Sequence, residues 1–136
     1  MLWVNDSKAT NTESAIAALR SFPGRTIVWI GGGKGAGTPV AGLAGEVAAR
    51  ARHAILNGAS APELDAALAE RGFAERTVVA TLGDAVRAAE AIARPGDVVL
   101  LAPGYKSFDQ FRDFEHRGEA FAELVGGLPG HAVGTH

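Results

Sequence analysis

Short apolar runs alternate with segments whose apolar residues recur every three or four positions, and this alternation repeats along most of the chain. Trp3 and Val4 open the series and run straight into a polar cluster, NDSKATN. TESAIAALRSF then places Ala15, Ile16, Leu19 and Phe22 at helical spacing, with Asn11 or Thr12 available to cap the start. RTIVWIGGG is a β-branched and aromatic run stopped by glycines, the form of a buried strand. PVAGLAGEVAARA reads as a second helix with Pro39 in its first turn, HAILNG as a brief strand, and SAPELDAALAERG as a third helix. In that third helix Ser60 and Glu63 stand in capping-box register and Gly72 marks the stop. RTVVAT is a further strand, LGDAVRAAEAIA a further helix, and PGDVVLLAPG the longest strand.

The last helical stretch is SFDQFRDFEHRGEAFAELV, where Ser107 and Gln110 form a second capping-box pattern. On that reading Phe108, Phe111 and Phe114 pack inward, although so many aromatics in a polar segment suit a site wall as well. The tail, residues 126–136, is glycine-rich and either frays or adds an edge strand. Strand-helix alternation with short, continuously apolar strands predicts an α/β fold whose sheet is mainly parallel. A length of 136 residues suits a single domain, 1–136.

In an open parallel sheet ligands collect at the carboxyl ends of the strands, where loops and helix N-termini present free N–H groups. Three polar segments lie there: NDSKATN, GGGKGAGT and APGYKSFDQF. Their convergence would build a concave site from residues distant in sequence.

Composition narrows the ligand. A net charge of -2 with scattered signs gives no surface for nucleic acid. The absence of cysteine excludes a disulfide scaffold and thiolate metal sites, and no apolar run approaches a membrane span or a signal peptide, so the chain is expected to be cytoplasmic. His53, His116, His131 and His136 lack metal-ligand spacing and read as structural or solvated, so no metal site is expected. No residues suggest a Ser-His-Asp or Cys-His arrangement.

IGGGKGAGTP fails as a phosphate loop, because Lys34 is followed by Gly35 and Val28 stands where the first glycine is required. Gly31, Gly33 and Ala36 satisfy a relaxed dinucleotide pattern, yet the next strand ends in Asn57 rather than an acidic residue. A tight β–α turn needing positive φ accounts for the glycines, and an anion site accounts for them together with Lys34.

WVNDSKATN, the glycine turn with its lysine, PGDVVLLAP and SFDQFRDFEHRGEAF resemble, in that order, the C-terminal domain of the D-glutamate-adding Mur ligases from about Trp3 to about Val125. The resemblance implies a Rossmann-like three-layer α/β/α fold, the last of three domains. The N-terminal UDP-binding domain and the central domain, which mainly binds ATP and Mg2+, are missing partners in the same polypeptide. It also implies the reaction. ATP phosphorylates the alanyl carboxylate of UDP-N-acetylmuramoyl-L-alanine, and the D-glutamate amine attacks the acyl phosphate in peptidoglycan-precursor synthesis. Carried over by position, Asp6 contacts the nucleotide ribose and Lys8 its phosphates, both from an exposed strand mouth. Thr10 and Lys34 hold one D-glutamate carboxylate, and Ser107 with the backbone of Phe114 the other. No catalytic residue is assigned, and the chain alone is expected to be inactive. One departure is local: the family turn carries an acidic residue before the lysine and an Asp-Phe pair after it, where this chain has Gly33 and Gly37-Thr38. The competing expectation is a free-standing Rossmann-like anion-binding module without catalysis.

Overall fold

Strands and helices alternate as the periodicity predicts. The elements are β1 (Leu2–Asn5), α1 (Thr12–Arg20), β2 (Ile27–Gly31), α2 (Ala41–Arg50), β3 (Ala51–Leu56), α3 (Ala61–Glu70), β4 (Arg76–Val78), α4 (Leu82–Ile92), β5 (Val98–Leu101), α5 (Phe114–Gly126) and β6 (Val133–Thr135). The structure, a computed structural model, describes residues 1–34, 39–107, 110–128 and 133–135. Phe108, His131, His136, Ala36 and the Gly37-Thr38 departure lie outside the described residues.

The strands form one sheet in the order β4-β3-β2-β5-β1-β6, and every neighbouring pair is parallel. Continuous apolar runs suit this sheet because both its faces are covered. Side chains alternate between the faces with period two. Val4, Ile27, Trp29, Leu56, Val98 and Leu100 join Leu19, Leu43, Leu64 and Leu68 of α1, α2 and α3. Trp3, Val28, Ile30, Ile55, Val99 and Leu101 meet Val86 of α4 and Phe121 and Val125 of α5 on the other. The result is the Rossmann-like three-layer α/β/α arrangement, and no helix among the described residues is long and apolar enough to cross a membrane.

Several boundaries differ from the sequence expectation. β3, at 6 residues, is longer than β5, at 4, because glycine and proline at either end of VVLL leave the sheet early. Pro39 precedes α2, which is capped at Val40 and begins at Ala41. The tail contributes β6 as an edge strand beside β1, with Trp3 opposite Val133. His53, half-buried on β3, has its Nε2 2.8 Å from Thr77 Oγ1, and burial holds its pKa below the ordinary histidine value. At the edge remote from the polar loops, Asp97 accepts from Arg52 at 2.7 Å and from the Arg94 N–H at 2.8 Å. Burial pulls the Asp97 pKa upward, but these donors outweigh it and leave the group below the usual carboxylate value.

Candidate functional site

β2, β5 and β1 are consecutive in the sheet, so the three polar loops leave it side by side at the carboxyl edge. Main-chain bonds lace them together: Asp6 N–H donates to Leu101 O at 2.8 Å, Gly104 N–H to Ala9 O at 2.8 Å, Gly32 N–H to Pro103 O at 3.0 Å and Lys34 N–H to Lys106 O at 2.8 Å. Where the β1 and β5 loops meet the start of α5 lies a cleft of about 180 Å³ lined by Thr10, Lys106, Ser107, Asp113 and Phe114.

Ser107 is 2% exposed, and its hydroxyl has no hydrogen-bond partner among the described residues. The capping-box reading of this serine is corrected by the structure. α5 starts at Phe114 and is capped by Asp113, whose carboxylate accepts the His116 N–H at 2.7 Å. Gln110 and Phe111 instead donate their N–H groups to the Ser107 carbonyl, at 3.1 and 2.8 Å, in a turn before the helix. The serine side chain is thereby left for another acceptor or donor. Phe114 is 40% exposed at the helix start and walls the cleft, whereas Phe111 packs against the core.

The capping box at Ser60 is also corrected. Its hydroxyl caps nothing in α3 and accepts the Gly33 N–H at 2.9 Å, while Ser60 N–H donates to Gly33 O at 2.8 Å. The glycines before Lys34 are each needed for space. A Cβ on Gly31 would lie 2.0 Å from the Trp29 ring, and one on Gly33 would lie 2.3 Å from Lys106 O. Gly32 adds a backbone requirement, with φ at +107°.

A directed relay ties this turn to the Ser107 loop. Leu82 N–H donates to Gln110 Oε1 at 3.1 Å, Gln110 Nε2 to Asn57 Oδ1 at 2.9 Å, and Asn57 Nδ2 to Gly31 O at 3.1 Å. A backbone donor at one end and a backbone acceptor at the other fix the sense of both amides. Asn57, which offers no ribose carboxylate, is a brace between loops.

On the other side the brace is Arg117, which is 3% exposed on α5. Its Nε donates to Ser7 Oγ at 3.0 Å and its Nη2 to Ser7 O at 2.9 Å and Tyr105 O at 3.0 Å. Ser7 Oγ in turn donates to Phe114 O at 2.7 Å. The β1 loop, the β5 loop and the start of α5 therefore meet on one guanidinium. The Tyr105 side chain itself belongs to the core against α1–α3, where burial, and secondarily the charge of Glu63, push its phenol up to about 12, so it stands neutral.

The structure brings Thr10, Ser107 and Phe114 together around the cleft. Lys34 is not among the lining residues and meets them through its backbone bridge to Lys106. Lys8 is exposed between two further clefts, one of about 360 Å³ shared with Asp6, Ala9 and Ser14 and one of about 500 Å³ shared with Ser7, Phe114 and Glu115. Asp6 departs from the exposed position expected of it and is 4% exposed, since its N–H carries the β1 pairing with β5 one residue past the strand end. Sequence reasoning missed Arg117, which reads as a solvated helix charge, and Lys106, whose one available signal was its place directly before Ser107.

Residues 1–104 match the family described as Mur ligase, glutamate ligase domain. The chain is 47% identical over 91% of its length to the UDP-N-acetylmuramoylalanine–D-glutamate ligase of Solibacter usitatus, covering 27% of that protein. It is 44% identical over 92% of its length to the enzyme of the same name from Rubrobacter xylanophilus, covering 28% of it. The fold is shared with a murein peptide ligase from Psychrobacter arcticus at a TM-score of 0.54 and 16% identity, over 93% of this chain and 27% of that one. The chain thus spans little more than a quarter of the length of these relatives.

Proposed function

Since the chain belongs to the Mur ligase family through its glutamate ligase domain, we propose that it is the part of a D-glutamate-adding ligase that binds and orients D-glutamate. The observation that carries this reading is the buried Ser107 hydroxyl, without a partner among the described residues, in a cleft shared with Thr10 and the exposed start of α5. A buried polar group without a partner is expensive, and a carboxylate supplies the missing acceptor. Thr10 adds a hydroxyl, and one lysine in the lining, Lys106, adds positive charge. These are the elements needed to hold an amino acid carrying two carboxylates at separated points.

On this proposal the chain's contribution to the reaction is positional. Holding the two carboxylates fixes where the amine points, so that attack on an activated carboxyl becomes effectively intramolecular. The activated partner is the acyl phosphate of UDP-N-acetylmuramoyl-L-alanine, made by ATP with Mg2+ on a central domain of the same polypeptide; an N-terminal domain holds the UDP-substrate. The whole enzyme would work in the cytoplasm on cell-wall precursors. Of the residues assigned to the nucleotide, Lys8 fits a phosphate, being a cation exposed between two clefts. Asp6 lines one of the same clefts but is buried, which favours a role in setting the β1 loop over open contact with a ribose.

The test is steady-state kinetics of Ser107→Ala in a full-length ligase carrying this domain. The Michaelis constant for D-glutamate is expected to rise by roughly tenfold or more, since a hydrogen bond to a charged group is worth about 1.5–3 kcal/mol. Those for ATP and the UDP-substrate should change much less. An unchanged D-glutamate constant, or an equal loss for all three substrates, would remove Ser107 from the substrate site.

A further inference from the structure

The cleft carries a charge problem that the sequence-derived residues do not solve. A dicarboxylate placed beside Thr10, Ser107 and Phe114 also faces Asp113, which lines the same cleft. The Asp113 carboxylate caps α5 and lies 3.8 Å from the exposed Arg112 Nε, a solvent-screened pair that puts no cation on the cleft itself. Lys34, the cation expected here, is not among the lining residues, whereas Lys106 is.

Resting on the glutamate-site reading above, we propose that Lys106 is the carboxylate-binding cation of this cleft and a determinant of its preference for a dianionic amino acid. Its placement is built rather than incidental. In the turn past the strand, Tyr105 and Ser107 are buried and Lys106 is exposed between them. Tyr105 O is pinned by Arg117 and Lys106 O by the Lys34 N–H. Gly33 packs so tightly beneath that a Cβ there would meet Lys106 O at 2.3 Å. With the backbone held on both sides, the side chain has only the solvent face at the cleft rim to occupy. There its ammonium is a flexible point charge that can reach a carboxylate already fixed by Ser107. The backbone bridge also sets Lys34 next to Lys106, so the two lysines raise the local potential together, with Lys106 the one that lines the cleft.

The experiment is steady-state kinetics in the same full-length ligase with Lys106→Met, Lys106→Arg, Lys34→Met and Ser107→Ala, varying D-glutamate, ATP and salt. Lys106 is exposed, so the variants should fold like the parent. Lys106→Met is expected to raise the D-glutamate Michaelis constant roughly tenfold, the loss of one charge-assisted contact, with the turnover number within about twofold and the ATP constant unchanged. Lys106→Arg should recover most of the loss, and the salt dependence of the D-glutamate constant should be shallower in Lys106→Met than in the parent. A raised constant for Ser107→Ala with none for Lys106→Met would overturn this assignment and leave the glutamate site standing. So would a large effect of Lys34→Met paired with none at Lys106. No effect of Ser107→Ala would instead remove the site reading on which the assignment rests.

Discussion

Arg117→Met is expected to lower the stability of this chain by about 3 kcal/mol, because it leaves buried carbonyls of two loops without their donor. The guanidinium reaches Ser7 Oγ, Ser7 O and Tyr105 O at 3.0, 2.9 and 3.0 Å, and methionine keeps the stem while supplying none of these bonds. The effect should also be local in a way that a simple core defect is not. Ser7 Oγ donates to Phe114 O, so releasing Ser7 loosens the start of α5, where Phe114 walls the cleft. Thermal melting and amide hydrogen exchange measure both parts. The midpoint should fall by about 10 °C, and protection should be lost first at the start of α5 and in the loops after β1 and β5. Arg112→Met, on an exposed arginine of the same segment, should stay within about 0.5 kcal/mol. Equal effects at the two arginines would deny Arg117 its bracing role.

Gly32→Ala is expected to be at least as damaging, at more than about 3 kcal/mol, for two reasons that add. Its φ of +107° lies where side chains are strained, and the new Cβ would sit 2.0 Å from Asn57 O. The carbonyl it strikes belongs to the backbone of the β3 end, so relief requires moving Asn57 and with it the relay to Gln110. Gly72 supplies the comparison. It has φ of +72° with open space around it, so Gly72→Ala should show the conformational penalty alone, about 1–2 kcal/mol. Chemical denaturation of the two variants separates these contributions, and a Gly32 variant no worse than the Gly72 variant would mean that the loop shifts freely.

The layers of the fold were legible because continuous apolar strands and amphipathic helices leave a periodic trace that survives without knowledge of partners. Trp3 and Val4 face opposite cores for the same reason that any neighbouring strand residues do. The candidate site was legible in part: Thr10, Ser107 and Phe114 come together, and the placement of Lys8 agrees with an exposed strand mouth. What failed was local pattern matching where tertiary partners compete for a side chain. Ser60 and Ser107 both stand three residues before a residue that completes a capping box, yet Gly33 takes the first hydroxyl and the cleft keeps the second. Asp113 caps α5 instead, six residues further along than the pattern suggested. Arg117 was invisible because a helix position alone does not tell a solvated guanidinium from one that bonds three acceptors across the sheet edge. Asp6 was misplaced because strand pairing continued one residue beyond the apolar run.

The central claim is that the cleft at the carboxyl edge receives D-glutamate, and titration of this chain followed by amide chemical shifts in 1H–15N NMR tests it most directly. D-glutamate should shift the amides of Thr10, Lys106, Ser107 and Phe114 in a saturable way, weakly because on the proposed reading the acyl phosphate and further domains complete the site, and L-glutamate should shift them less at equal concentration. No saturable shift at these amides, equal responses to the two enantiomers, or shifts confined to the opposite edge of the sheet around Asp97 would contradict it.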